Sequence, residues 1–166
     1  MDVGAQAAER AIRAEIAYYR AHLDEGRDEA SLADLRARCA AAMAPELPGI
    51  DPGVLLDALL ESLRFYAYDD AAPVLTALRD AGIARVVVSN WDWSLHERLA
   101  ETGLAPLVDG ALASAVVGAA KPDPAIFRAA LEVAGTQDAW HVGDTPEADV
   151  AGARAAGLRP ILIARD

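Results

Sequence analysis

Two carboxylates stand five positions apart, Asp144 and Asp149, in the segment Trp140-His141-Val142-Gly143-Asp144-Thr145-Pro146-Glu147-Ala148-Asp149. An apolar run ends at Gly143-Asp144, and Thr145-Pro146 then opens a helix. Thr145 is placed to cap that helix, and a proline at the first helical position forfeits no hydrogen bond. This puts Asp144 at the tip of a strand with Asp149 close behind it on the first turn. Carboxylates gathered in this way suit a hard, oxygen-seeking cation such as Mg2+, which keeps waters and borrows oxygens from a phosphate. The arrangement reads as half of a metal-assisted phosphoryl-transfer site. Glu147 reads only as a first-turn acid complementing the helix dipole.

Two further positions carry matching chemistry. Ser89 follows Val86-Val87-Val88 directly, so its hydroxyl and the backbone N–H groups from Asn90 onward could hold phosphate oxygens at a strand tip. Taken alone, Ser89-Asn90 fits an ordinary strand-to-helix turn better, since both residues are favoured there for local hydrogen bonding. Lys121 lies in Gly118-Ala119-Ala120-Lys121-Pro122-Asp123-Pro124, where small residues and prolines fix the backbone ahead of a helix capped by Asp123. An ammonium held there could balance charge on a transferring phosphoryl group, although a lone loop lysine is more often simply solvated. No Cys/His metal spacing and no Ser-His-acid arrangement is present. His141 reads as a packed core residue, and His22 and His96 as residues on polar helix faces. Trp91, next to Asn90, could line a pocket.

The elements that must hold these residues come in two textures. From Ala5 to about Phe65 the chain is helical. Ile12, Ile16, Tyr19 and Leu23 form an amphipathic stripe, Ser31 and Asp34 suit a capping box for a second helix, and Asp51-Pro52 starts a third. After Tyr68 helices and strands alternate. Helices ending at Gly82, Gly103, Gly135 and Gly157 are each followed within a few residues by a new segment, the punctuation of repeated βα units. Strands are expected at Val86–Val88, running into Ser89-Asn90, within Ala111–Val117, at Trp140–Val142 and at Pro160–Ile163. A helix is expected from Glu147 to Ala156. Continuous Val/Ile runs imply strands covered on both faces, hence a parallel sheet, in which chemistry collects at the carboxyl ends of strands. Ser89-Asn90 and Asp144 lie there.

Composition bounds the function. The 166 residues suffice for one domain with a small accessory one, and a net charge of -11 argues against nucleic acid as a partner. A small phosphorylated metabolite remains compatible, because a local lysine and a cation can reverse the field within a site. No apolar run approaches the roughly 20 residues of a membrane span. The single Cys39 and the charged start of the chain, without an apolar signal segment, fit a cytoplasmic protein with no membrane partner.

Taken together, these motifs resemble the haloacid dehalogenase-like hydrolase superfamily, in its phosphatase-type members with a helical cap. The family's second motif, an apolar strand ending in Ser or Thr, is matched by Val86-Val87-Val88-Ser89-Asn90. The third, a lysine before a proline-containing helix start, is matched by Lys121-Pro122-Asp123-Pro124, and the fourth by Gly143-Asp144 with Asp149. The resemblance covers about Tyr68 to the C-terminus. It implies an α/β fold, a Rossmann-like parallel sheet core at 68–166 under an N-terminal helical cap at 1–67. It further implies Ser89 and Asn90 on phosphate, Lys121 as the catalytic cation, and Asp144 and Asp149 on Mg2+, with hydrolysis of a small phosphomonoester. Dehalogenation is less favoured, because carbon–halogen hydrolysis does not need the cation that the Gly143-Asp144…Asp149 pattern suits.

One motif has no match. The family's first strand ends in an Asp nucleophile with a second Asp two residues on, and precedes the cap. Here only Met1-Asp2-Val3-Gly4 precedes it, Asp2 has no strand before it, and Phe65-Tyr66-Ala67-Tyr68-Asp69-Asp70 reads as a hinge and helix start. In the family that strand is central, between those ending at Ser89 and Asp144, and without it two strand edges stand unpaired. The expectation is therefore a shortened form of a longer hydrolase, inactive as this chain, with an open sheet edge through which a homo-oligomer could form. Two alternatives stay open: a non-catalytic phosphometabolite-binding or regulatory module, and a chain completed in trans by a partner that supplies strand and nucleophile.

Overall fold

The computed structural model describes residues 3–165, so Asp2 lies outside the described residues. The chain divides into two compact units, Met1–Phe65 and Tyr66–Asp166.

The first unit is helical: α1 (Ala5–His22), α2 (Glu29–Met43) and α3 (Pro52–Ser62). The starts of α2 and α3 have local causes. At α2 the Asp28 carboxylate accepts from the Ser31 N–H at 2.8 Å, and the Ser31 hydroxyl accepts from the Asp28 N–H at 3.1 Å. The expected box of Ser31 with Asp34 is thus shifted one turn towards the N-terminus, because the carboxylate of Asp28 takes the capping position and Ser31 becomes the returning partner. Asp34 instead pairs with Arg38 at 2.8 Å. At α3, Asp51 accepts from the Gly53 N–H at 2.8 Å with Pro52 at the first helical position. The core of this unit joins Ala11, Leu32, Leu35, Cys39, Ala40 and Met43 with Leu47, Leu55 and Leu59. The face of α1 turned to it is centred on Ala11, whereas Ile12 and Ile16 of the expected stripe stay exposed. Small residues let α1 and α2 approach, and that close packing decides the buried face.

The second unit alternates: α4 (Ala71–Asp80), β1 (Val86–Ser89), α5 (Leu95–Glu101), β2 (Gly110–Ala113), α6 (Ser114–Val117), α7 (Pro124–Ala134), β3 (Trp140–Gly143), a π-helical turn (Pro146–Ala151) running into α8 (Gly152–Ala155), and β4 (Arg159–Leu162). Both strand pairings are parallel, β1 with β2 in the register Val86↔Gly110 to Ser89↔Ala113, and β3 with β4 in the register Trp140↔Arg159 to Gly143↔Leu162. The pairs form two separate two-stranded sheets, and among the described residues no hydrogen-bonded ladder joins β1 to β3. Helix α7 supplies most of the core beneath them: Ile126, Phe127 and Leu131 pack with Ala153 and Leu158, and Val88 of β1 lies against the same cluster. Gly110 is where β2 runs beneath this helix, for a Cβ there would stand 2.5 Å from the Val133 side chain. Trp140 and Val142 of β3 and Ile161 and Leu162 of β4 remain exposed, so these strands are covered less fully than a two-faced parallel sheet would be. Among the described residues, no helix is long and apolar enough to cross a membrane.

Candidate functional site

Three chain segments meet at the carboxyl ends of β1 and β3. Their meeting point is Asp149, which is 2% exposed. Its Oδ1 accepts from Lys121 Nζ at 2.6 Å and from His141 Nε2 at 2.9 Å. Its Oδ2 accepts from the backbone N–H of Asp144 at 3.1 Å and of Thr145 at 2.9 Å. Burial pushes this carboxyl up. The hydrogen bonds from His141 and Lys121, the Thr145 N–H and the lysine's charge outweigh that and hold it at about 2, against an ordinary 3.8. Asp149 is therefore a carboxylate throughout the physiological range, and four donors already surround its oxygens.

The local fold explains how it gets there. Thr145 was expected to cap a regular helix with its hydroxyl, but no side-chain capping bond forms. The chain winds instead as a π-helical turn, and Asp149 reaches back from within it to bind the two N–H groups that such a cap would leave open. Gly143 makes room for this, since a Cβ at that position would fall within 2.6 Å of the Asp149 Cβ and on its carboxylate. Gly152 is similarly tight, for a Cβ there would stand 2.8 Å from the Pro122 Cα, so the turn packs closely against the Lys121 loop.

That loop is fixed from the other side by Asn90. The Asn90 Nδ2 donates to the Lys121 carbonyl at 2.9 Å, and Asn90 Oδ1 accepts from the Lys121 N–H at 2.7 Å. Both ends of the amide are thus engaged on one residue's main chain, so the Asn90 side chain holds the Lys121 backbone in place. The Lys121–Pro122 peptide is cis, and Asp123 caps α7 by accepting from the Ala125 N–H at 2.8 Å. Ser89 is the last residue of β1, directly before this clamp. Trp91 turns away, donating its indole N–H to Ser94 Oγ at 3.3 Å.

Asp144 is different from Asp149. Its side chain is exposed, and among the described residues it carries just a long 3.5 Å contact from Thr145 Oγ1. It lines a cleft of about 560 Å³ together with Tyr68, Gly143 and Leu162 to Arg165. Arg165 closes one side of this cleft through paired 3.0 Å bonds to Asp70, with its guanidinium 4.0 Å from the centre of the Tyr68 ring. Among the described residues no group of three or more His, Cys, Asp or Glu is placed to hold a metal ion. One open carboxylate beside a buried lysine fits a cation that takes most of its ligands from water and a bound oxyanion, the habit of Mg2+. Asp144 has the open oxygens that could ligate such a cation, whereas both oxygens of Asp149 are already hydrogen-bonded.

The structure thus brings Asn90, Lys121, Asp144 and Asp149 together with Ser89 at the neighbouring strand end, and adds one residue that the sequence reading set aside. His141 is buried at 9% exposure, with its ring edge-on to Phe127 at 5.0 Å. A signal for it was available: strand alternation puts His141 on the same side as Gly143, and a buried polar group demands a partner.

Comparison with known proteins agrees with this geometry. A family model described as a haloacid dehalogenase-like hydrolase matches residues 3–157. The phosphoserine phosphatase of Thermus thermophilus is 39% identical over 108 residues, covering 63% of this chain and 43% of that protein, so the chain spans about two fifths of its length. Two solved structures share the fold: a magnesium-bound HAD hydrolase from Bacillus subtilis, at TM-score 0.69 and 20% identity over 98% of this chain and 74% of that one, and L-2-haloacid dehalogenase from Xanthobacter autotrophicus, at TM-score 0.70 and 24% identity over 97% of this chain and 66% of that one.

Proposed function

Because this chain belongs to the haloacid dehalogenase-like hydrolase family, we propose that its second unit carries the phosphate- and cation-binding half of a phosphatase-type site for a small phosphomonoester. The observation that carries this reading is the Lys121–Asp149 ion pair at 2.6 Å beside the open carboxylate of Asp144. Lys121, with its side chain only 13% exposed and paired to Asp149, would present the rest of its ammonium to a phosphoryl oxygen. Ser89 Oγ would donate to a second phosphoryl oxygen. Asn90 holds the lysine's backbone while Asp149 holds its head, so the cation is oriented before a ligand arrives. Asp144 would hold Mg2+, which supplies Lewis-acid polarisation of a phosphoryl oxygen. The similarity to a phosphoserine phosphatase favours a phosphate ester over a carbon–halogen bond.

Binding and turnover separate here. The strands end at Ser89, Ala113, Gly143 and Leu162, and of the two carboxylates at the end of β3, Asp149 is taken up by Lys121, His141 and two backbone N–H groups while Asp144 stands open. With Asp144 assigned to the cation and Asp149 to those donors, neither is left over to serve as the covalent nucleophile. We therefore expect the chain to bind orthophosphate in the presence of Mg2+ and to leave p-nitrophenyl phosphate unhydrolysed. Calorimetry with orthophosphate and a colorimetric turnover assay test the two halves separately. Absence of Mg2+-dependent phosphate binding would overturn the reading.

A second reading rests on the unpaired edges of β1 and β3. A strand from another copy of the chain, or from a partner that also brings a nucleophile, would complete the sheet in trans. Light scattering on the purified protein distinguishes the cases: a mass at 17.4 kDa excludes self-association.

A further inference from the structure

The geometry points to His141 as the positioning residue that sets the Lys121 ammonium in place through Asp149, an inference that rests on the phosphate-site reading above. His141 Nε2 and Lys121 Nζ meet at the same oxygen, Asp149 Oδ1, at 2.9 and 2.6 Å. A carboxylate ion-paired to an ammonium and taking two backbone N–H groups on its other oxygen can only accept. The histidine must therefore carry its proton on Nε2 and donate it. Phe127, edge-on at 5.0 Å and 89°, packs against the buried imidazole.

The division of labour follows from which atoms are engaged. Oδ2 is fixed by the N–H groups of Asp144 and Thr145, which sets the carboxylate's distance from the turn but leaves rotation about its own axis to be decided at Oδ1. At Oδ1 the lysine is the mobile partner, a flexible four-carbon stem, and the histidine is the rigid one. The imidazole thus defines where Oδ1 sits, and Oδ1 defines where the ammonium sits. His141 reaches no ligand itself. Its effect is relayed, as a residue behind a ligand-binding group orients that group in metal sites.

The test reads lysine placement and ligand affinity separately. In the unaltered chain, nitrogen-15 NMR should find His141 protonated at Nε2 with a slowly exchanging proton, and a resolved, exchange-protected Lys121 ammonium. His141→Leu should erase the protected ammonium signal and weaken Mg2+-supported orthophosphate binding about tenfold or more, in the range for residues supporting a ligand. His141→Gln, whose amide can donate from nearly the position of Nε2, should retain the signal and restore affinity to within about threefold. A Leu variant that keeps both the signal and the affinity overturns the proposal, as does a proton found on Nδ1 with Nε2 bare. If the Leu variant does not fold, the tautomer of the unaltered chain and the Gln variant decide. If the unaltered chain binds no phosphate, the phosphate-site reading fails, and the ammonium signal in the variants still judges His141 alone.

Discussion

Lys121 Nζ and Asp149 Oδ1 lie 2.6 Å apart although 28 positions separate them in the chain. One residue leads into α7 and the other closes the turn after β3. Each is nearly inaccessible, so neither charge has water to fall back on, and each depends on the other. That dependence makes the pair measurable.

Asp149→Asn should destabilise the second unit by about 3 kcal/mol, because it leaves an ammonium buried without its counter-charge. Lys121→Met should cost less, since Asp149 keeps His141 and two backbone donors. The double variant should be more stable than the sum of the two losses implies, by about 1 kcal/mol or more. Urea unfolding of the four proteins measures the coupling, and strict additivity would mean that the pair contributes nothing.

The same carboxylate sets an acid limit. Its folded value of about 2 lies below the ordinary 3.8, so the stability it contributes is complete above about pH 4 and is lost as pH falls through 2. The difference corresponds to about 2 kcal/mol. Unfolding at pH 7, 4, 3 and 2 should bring the stabilities of the unaltered chain and Asp149→Asn closer by that amount across the lower window. A gap that stays constant from pH 4 to 2 would contradict the shift.

Gly143→Ala should act as a remote form of the Asp149 variant. The added Cβ falls on the Asp149 carboxylate, whose Cβ would be 2.6 Å away, so the turn must shift and Oδ1 with it. We expect a loss of about 2 kcal/mol, within the range for overpacking a tight site, together with loss of phosphate binding. Ala at Gly4, which has nothing within 4 Å of the added atom, serves as the control for a neutral glycine substitution.

Asn90→Ala separates clamp from ligand. It removes 2.9 and 2.7 Å bonds to the Lys121 backbone, both partly buried. Stability should fall by about 1 to 2 kcal/mol and phosphate affinity should fall with it, whereas Ser89→Ala should reduce affinity with little effect on unfolding. Parallel melting curves and phosphate titrations check this, and equal behaviour of the two variants would dissolve the distinction.

Much of the second unit is legible in the sequence. The valines of β1 and the apolar run of β3 are long enough in β-branched and aromatic residues to declare themselves, and Gly135 and Gly157, at φ 67° and 84°, mark helix ends that only glycine adopts freely. The α/β class follows from that alternation. What was not legible is whatever depends on a partner distant in the chain. Asn90 looked like a turn residue because its two bonds go to a position 31 residues away. Thr145 looked like a cap because nothing local announces that Asp149 will take its place within a π-helical turn. In the first unit, α1 buries Ala11 and leaves Ile12 exposed, because helix–helix distance and not hydropathy chose the face. The chemistry-bearing types were readable one by one; the bonds that decide which of them touch a ligand and which only hold a neighbour were not.

The measurement that bears most directly on the proposed site is calorimetric titration of orthophosphate into this chain, with and without Mg2+, repeated with Asp144→Asn. The Asp144 side chain is exposed and only its backbone N–H serves Asp149, so a side-chain substitution should leave melting unchanged. We expect saturable phosphate binding that requires Mg2+ and weakens at least about tenfold in Asp144→Asn, a difference of about 1.4 kcal/mol. Phosphate binding indifferent to both Mg2+ and Asp144, or none at all in the unaltered chain, would contradict the assignment of this carboxylate and lysine to a phosphatase-type site.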